Sequence, residues 1–444
     1  MHCDNESLGL LTDLYELTML QAYWRESMND TATFSLFFRE MPPQRNIILA
    51  CGQEYAAALI RQLRFPGRQI DWLRSLELFQ EDFLQWLQAF RFRGDVHCLA
   101  EGSLVFPHEP ILEITAPLME AQLLESLVMN RIHLETVLAS KAIRMVLAAR
   151  GRPVVDFGMR RMHGSDAALR GVRAYQAAGI AGTSNVLGGL QYGLPLRGTM
   201  AHSYIQAHND EEEAFRAYAR LYPGTTLLVD TYDSREGLKK VIRLVLEEGL
   251  EVGAIRLDSG DLARQAMEAR QQLDQAGLAH IRILVSGGLD EYQIHRLLAA
   301  GAPIDGVGVG TSMGAASDAP TLDLAYKLVE YAGRPRLKNS PGKQLYPGRK
   351  QVWRDVDRQG HYQQDSITGR DEQATGEPLL KTVIEAGAPC GNAPDGNNVR
   401  EHVARQLDRL PPALRSLETA HDAYPVCVSD TLKHLRQAVL QTMP

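Results

Sequence analysis

The sequence predicts an α/β protein, an irregular parallel α/β barrel plus an α+β domain formed by the N-terminal and C-terminal segments. Three observations predict it. Between about residues 153 and 312, short apolar strands alternate with helical segments, the signature of consecutive βα units and a parallel sheet. On both sides of that stretch the alternation is absent. Each strand within it ends in a polar or glycine cluster, as the active rim of a parallel barrel requires. An open doubly wound sheet is the alternative arrangement of the same units. The reading divides the chain into an N-terminal α+β domain at 1–125, a barrel at 126–325, and a C-terminal segment at 326–444 that returns to the first domain.

In chain order, residues 10–24 (LLTDLYELTMLQAYW) read as a helix, with Thr12 or Asp13 as its N-cap. Residues 31–39 (TATFSLFFR) are rich in β-branched and aromatic residues and read as a strand. Helices are expected at 50–63 and 71–90, and strands at 95–102 and 111–115. A proline-free helical stretch runs from Leu118 to Arg150. Barrel strands then follow at 153–158, 179–184, 196–203, 226–233, 251–260, 281–288 and 305–312, with helices at 165–177, 210–220, 235–248, 261–276 and 290–300. Seven such units closing on themselves give a barrel. The basic, Gly- and Pro-containing stretch 326–354 reads as strands and loops, 387–399 as an exposed loop, and 400–443 as helical.

Composition excludes several classes. The chain has 444 residues, 45% apolar and 23% charged, with a net charge of -7. Such a balance gives no global attraction to nucleic acid or to an anionic membrane, so an anionic ligand needs a local cluster of Arg, Lys and backbone N–H groups. The five cysteines are widely spaced, without a C-x-x-C; a reducing, cytoplasmic setting is expected rather than a disulfide framework or a zinc site. No signal peptide is expected, and the sequence contains no apolar run of about 18 residues.

The strand-end clusters carry the chemistry. They are Asp156-Phe157-Gly158 with Arg160 and Arg161; Gly182-Thr183-Ser184-Asn185; His202-Ser203; Asp230 and Asp233; Arg256, Asp258, Ser259 and Asp261; Ser286-Gly287-Gly288; and Gly308, Gly310 and Thr311. Any single Asp or Ser here also reads as a helix N-cap; the succession at one rim reads as a site. The last two clusters suit a phosphate, bound by backbone N–H groups. Arginine suits bidentate binding of phosphate or carboxylate, or else pairs with Asp156, Asp258 or Asp261. Asp258 and Asp261 suit ribose hydroxyls or a hydrated magnesium ion; Ser259 or Asp258 equally suits a cap. No lysine lies between Lys141 and Lys239 or between Lys240 and Lys327, which disfavours a Schiff-base mechanism. His202 follows a strand, and Asp230 ends the next one, placed to orient the ring so that the imidazole acts as a nucleophile towards phosphoryl groups.

LTDLYELTM (11–19), FFRE (37–40), DFGMRRMHG (156–164), GTSNV (182–186), GTMAHSYI (198–205), LVDTYD (228–233), IRLDSGD (255–261) and VGVGTSM (307–313) stand in this order. Together with YKLVEYAGRPRLKNSPGKQLYPG (326–348), they make the chain resemble the nicotinate phosphoribosyltransferase family over residues 10 to 350. The resemblance implies a type II phosphoribosyltransferase fold, a homodimer with shared active sites, and magnesium. It also implies conversion of nicotinate and phosphoribosyl pyrophosphate to nicotinate mononucleotide and pyrophosphate, in NAD salvage, coupled to ATP hydrolysis. By motif match His202 is the transiently phosphorylated histidine and Asp230 its carboxylate partner. Tyr15 from the partner subunit and Phe157 would stack on the pyridine ring. Arg256 would face nicotinate and ribose, Arg160 the product phosphate, and Asp258 the ribose hydroxyls. Ser286, Gly287, Gly310 and Thr311 would cradle the 5′-phosphate. Arg39, Lys338 and Lys343 would reach the pyrophosphate or the ATP phosphates, with Lys327 and Lys350 as alternatives. Ser184 stands where related nicotinamide enzymes carry an Asp; a hydroxyl donates to a carboxylate that an Asp would repel. Met159 replaces a smaller residue, and a minor packing change is expected there. The rival readings are a nicotinamide or quinolinate phosphoribosyltransferase and a non-catalytic phosphosugar-binding barrel.

Overall fold

The structure, a computed structural model, describes residues 5–339, 344–392 and 395–443. They fall into two compact units, Met1–Ser140 with Ala319–Pro444, and Lys141–Asp318.

The first unit is built on an antiparallel sheet of seven strands. Its order is Arg334–Pro335, Leu324–Tyr331, Thr31–Phe38, Leu112–Pro117, Asp95–Cys98, Lys381–Glu385 and Ala388–Pro389. Thr31–Phe38 is buried at every position after Thr31, which is why it sits centrally. Its partner Leu324–Tyr331 comes from the returning C-terminal segment, with Phe34 opposite Leu328 and Leu36 opposite Tyr326. A second sheet of four strands joins Glu377–Pro378, Lys350–Val356, Tyr362–Gly369 and Val426–Val428. A small pair, Ile48–Ala50 with Ser103–Val105, has no clear alternation in sequence and was not expected.

Two helical expectations break. The stretch 71–90 divides into Gly67–Ser75 and Glu81–Ala89. Glu77 takes a left-handed conformation at φ 57°. The Gln21 side chain serves the backbone at the break, donating to the Leu78 carbonyl and accepting from the Gln80 N–H. The stretch 118–150 divides into Leu118–Gln122 and Glu125–Ala148. Towards the C-terminus, helices Gly396–Arg409 and Asp430–Thr442 flank a 3-10 turn and a strand. The expected loop at 387–399 holds the short strand Ala388–Pro389 and the start of the first of these helices.

The second unit carries a curled, parallel half-barrel sheet of six strands. The order is Gly182–Thr183, Val154–Asp156, Gly306–Val309, Arg282–Val285, Val252–Leu257 and Thr225–Leu228. Its strands are short and largely buried, and four of the six feed a helix capped by a side chain, Asn185, Asp233, Asp261 or Asp290. Ser234–Glu248 is typical: Asp233 accepts from the Arg235 and Glu236 N–H groups, Gly249 ends it at φ 64°, and Leu238, Val241 and Leu244 face inward.

Of the seven strands expected to close a barrel, 196–203 does not form. Leu196 makes one parallel bridge to Thr183, and the chain then turns into the helix His202–Gln206. Pro195 has no N–H to offer a ladder, and Gly198 has no side chain to pack, so pairing ends after the Thr183 and Arg197 N–H bonds.

Candidate active site

The strand-end residues of the parallel unit converge. Asp156 ends its strand and is buried. Its carboxylate accepts from the Gly158 N–H at 2.8 Å and the Thr183 hydroxyl at 2.7 Å, tying the Asp156-Phe157-Gly158 turn to the next strand. Burial holds this carboxyl above its ordinary range despite those bonds. Phe157 lies across Gly308, where a Cβ would stand 2.5 Å from the ring. The Arg256 Cζ sits 5.3 Å from the Phe157 centroid, a cation–π distance.

Arg256, Asp258 and Ser286 form one hydrogen-bonded triangle. Arg256 donates to the Ser286 Oγ at 2.7 Å and to the Asp258 Oδ1 at 2.6 Å, and the Ser286 hydroxyl donates to that same oxygen. Partial burial works to raise the Asp258 carboxyl; the Ser286 hydroxyl and Arg256 guanidinium outweigh it and hold the group below the usual carboxylate range. Gly287 follows at φ 97°, and a Cβ there would lie 1.7 Å from the Asp258 carbonyl oxygen, so no side chain fits. Phe157, Arg256, Ser286 and Gly308 line a cavity of about 380 Å³.

His202 joins this group by a different contact than expected. Its Nε2 lies 3.9 Å from the Asp258 Oδ2, and its Nδ1 is 3.1 Å from the Thr231 hydroxyl. Asp230 turns elsewhere: its Oδ2 accepts from the Asp258 N–H at 2.7 Å and the Ser259 hydroxyl at 3.0 Å. Thr231, one residue after the expected partner Asp230, is the residue within hydrogen-bond distance of the ring Nδ1.

The phosphate-loop candidates also differ in detail. Gly310 precedes the helix Thr311–Ala315, and the Thr311 hydroxyl accepts from Arg161 at 3.0 Å. Arg161, rather than Arg160, is thus brought to the glycine loop; Arg160 is exposed on the turn Met159–Arg161. Met159 on this turn is half exposed. Ser184 is exposed beside Thr183, its N–H bonded to the Asp156 carbonyl. Asp233 and Asp261 are helix N-caps.

Three expected residues, Tyr15, Arg39 and Lys338, belong to the other unit. Tyr15 is 46% exposed on the helix Leu14–Arg25. Partial burial and the carboxylates of Glu125, Glu16 and Asp13 raise its phenol well above the ordinary range, so its ring stays neutral. The Arg39 guanidinium is paired with Asp323 at 2.7 Å. Lys338 is exposed, and Lys343 lies outside the described residues. Of the alternatives, Lys350 is buried against Glu113 at 3.0 Å, which removes it as a phosphate ligand; Lys327 lies 3.9 Å from Glu125.

Among the described residues no group of three or more His, Cys, Asp or Glu could by itself hold a metal. Magnesium needs no such group, because it keeps waters and substrate phosphates beside one or two carboxylates. The buried Asp230 Oδ1 has no hydrogen-bond partner within the protein, which fits that donor set. No helix of the described residues is long and apolar enough to cross a membrane.

Comparison with known proteins identifies the family. Models described as the nicotinate phosphoribosyltransferase (NAPRTase) N-terminal domain, family and C-terminal domain match residues 10–133, 153–338 and 372–436. Nicotinate phosphoribosyltransferase pncB2 of Mycobacterium tuberculosis is 50% identical over 427 residues, covering 96% of this chain and 92% of that protein. The crystal structure of human nicotinic acid phosphoribosyltransferase superposes with a TM-score of 0.86 at 27% identity, covering 96% of this chain and 99% of that one. A nicotinate-nucleotide pyrophosphorylase from Pyrococcus furiosus gives 0.76 at 26% identity, covering 92% and 97%. With half of its residues identical to one such relative along nearly its whole length, the chain belongs to the nicotinate phosphoribosyltransferase family.

Proposed function

We propose that this chain transfers the phosphoribosyl group of phosphoribosyl pyrophosphate to the ring nitrogen of nicotinate, with ATP hydrolysis coupled through a phosphohistidine at His202. The products are nicotinate mononucleotide and pyrophosphate, a step of NAD salvage in the cytoplasm. The observation that carries the reading is one constellation: Phe157 under Arg256, Arg256 bonded to Asp258 and Ser286, and His202 beside Asp258.

Nicotinate stacks on Phe157, and Arg256 answers its carboxylate. The pyridine nitrogen already carries a lone pair, so no general base is needed. It forms the bond to the anomeric carbon as the bond to pyrophosphate breaks. Asp258, held ionised, takes the ribose hydroxyls. Ser286, Gly287, Gly310 and Thr311, joined by Arg161, hold the 5′-phosphate. Holding both reactants in line supplies roughly 7–11 kcal/mol of the barrier. Magnesium, when bound, neutralises charge on the departing pyrophosphate, and Asp230 is the residue to hold it. In a homodimer, Tyr15 of a second copy covers the other face of the ring, and Arg39, Lys338 and Lys343 meet the departing phosphates.

Thr231 supports the phosphohistidine step. In the tautomer whose Nδ1–H donates to the Thr231 hydroxyl, the His202 Nε2 keeps its lone pair. It attacks the γ-phosphorus of ATP, the bond to the β-phosphate oxygen breaks, and ADP leaves. Water later cleaves the phosphorus–nitrogen bond and releases inorganic phosphate.

Pyrophosphate release is measured with nicotinate, nicotinamide and quinolinate, each with and without ATP. Nicotinate with ATP should be fastest; turnover of quinolinate or nicotinamide alone would overturn the reading. His202→Ala should lose ATP coupling and keep slow ATP-independent turnover. Full coupled activity in that variant would refute the phosphohistidine.

A further inference from the structure

Each of the two candidate phosphate loops has one side chain to anchor it, Ser286 on Arg256 and Asp258 and Thr311 on Arg161, and the glycines beside them have none. Gly287 and Gly288 stand at φ 97° and 68°, and Gly310 precedes Thr311. The position of the glycines therefore depends also on the elements that flank them. The first loop leads into the helix Glu291–Ala299, whose first residue, Glu291, is fully buried. The second leads through the helix Thr311–Ala315 and Ala316, at φ 44°, to Asp318.

One buried ammonium meets both. The Lys141 Nζ on the helix Glu125–Ala148 lies 2.5 Å from the Glu291 Oε2 and 2.7 Å from the Asp318 Oδ1. Arg144, one helical turn later, donates to the Glu291 Oε1 at 2.8 Å and to the Tyr292 hydroxyl at 2.8 Å. Two acids thus face two cations in a site where an unmatched charge is costly. Each Glu291 oxygen has its own fixed donor, which sets the helix start in angle as well as distance. An apolar core of equal volume would exclude water without that directionality.

We propose that Lys141 is a positioning residue that couples the two phosphate loops, holding Glu291 and Asp318 at one point so that Ser286–Gly288 and Gly310–Thr311 keep the spacing one phosphate needs. The proposal rests on the reading that these loops hold the ribose 5′-phosphate. Lys141 touches no substrate in that reading and acts through the loops.

The test compares Asp318→Asn, Lys141→Met and Lys141→Arg with the loop variants Ser286→Ala and Thr311→Ala. KM for phosphoribosyl pyrophosphate, KM for nicotinate, kcat and Tm are measured for each folded variant. Asp318→Asn removes one arm of the bridge and leaves Glu291 paired, so it serves if Lys141→Met does not fold. It should raise KM for phosphoribosyl pyrophosphate about tenfold, with KM for nicotinate and kcat within about twofold, because a small displacement of a binding loop is read most strongly by the group it holds. Lys141→Arg, which keeps the charge, should recover much of the affinity that Lys141→Met loses. A lower Tm with KM for phosphoribosyl pyrophosphate unchanged would overturn the coupling and leave the cluster a stabilising one. Should Ser286→Ala and Thr311→Ala also leave that KM unchanged, the loops do not bind the phosphate, and the underlying reading falls with it.

Discussion

Each unit of this protein contains an Arg–Asp pair at nearly the same separation. Arg354 and Asp365 approach to 2.5 Å, and Arg256 and Asp258 to 2.6 Å. The first pair is closed. Both residues are buried, Asp365 takes two nitrogens of Arg354 and the Tyr424 hydroxyl, and Arg354 also donates to the Leu104 carbonyl. Tyr362, Phe106 and Tyr424 lie around the guanidinium at 4.9–6.0 Å. The second pair is open: its side chains keep 18% and 28% of their exposure, and Arg256 lines the cavity. Residue type therefore does not separate a structural ion pair from a functional one. The difference lies in whether every donor and acceptor is already used and whether space remains for a ligand.

The largest expected effect breaks the closed pair. Arg354→Met should cost about 3–5 kcal/mol of stability, because it leaves Asp365 buried without its cation; denaturant unfolding checks this, and a loss under about 1 kcal/mol would show that the pair is not structural. Arg256→Met, the matching change in the open pair, should reverse the pattern. Stability should change by less than about 1 kcal/mol, while kcat/KM with nicotinate falls about a hundredfold or more, the scale of a lost charged contact in the transition state. A variant with normal activity and lower stability would place Arg256 with Arg354. Ser184→Asp should act more narrowly, lowering kcat/KM for nicotinate about tenfold and sparing nicotinamide, as a substrate competition assay would show.

The smallest effect is one of pH. Burial, then the neighbouring charge of Asp365, raises the Glu109 carboxyl well above its ordinary range. The folded state therefore holds a proton that the unfolded chain releases above about pH 4.3. This contribution to stability is complete below that point and is lost as pH rises towards the folded value. Asp258 has the opposite sign, because its folded value is lowered: its contribution is present above the ordinary Asp range and lost in acid. Glu109→Gln should flatten the decline of Tm as pH rises above the ordinary Glu range, and an unchanged slope would mean that Glu109 does not carry the proton.

Much of the parallel unit was legible in the sequence because one signal repeats. Apolar strands such as Ile283 to Val285 end at Ser286 and Gly287, and amphipathic helices such as Ser234–Glu248 follow. The strand-end residues of the candidate site could be named for the same reason, since a strand's last residue must face its rim. Sequence position does not decide between neighbours. Arg160 and Arg161 are indistinguishable by position, as are Asp230 and Thr231 for His202, and the choice depends on side-chain angles set by packing. The cap at Asp261 had the same residue type as a ligand and differed only in where its backbone N–H partners lay.

The sequence by itself determined the alternation of elements, the identity of the polar groups at the strand ends and the glycines that exclude a side chain, because these follow from local periodicity and backbone sterics. Only the tertiary structure decided that the parallel sheet carries six strands rather than seven, that Lys350 lies inside on Glu113, and that Lys141 meets Glu291 and Asp318. Such contacts join residues 150 or more positions apart or depend on a single pairing. Their energies depend on burial and register, which no stretch of chain carries alone.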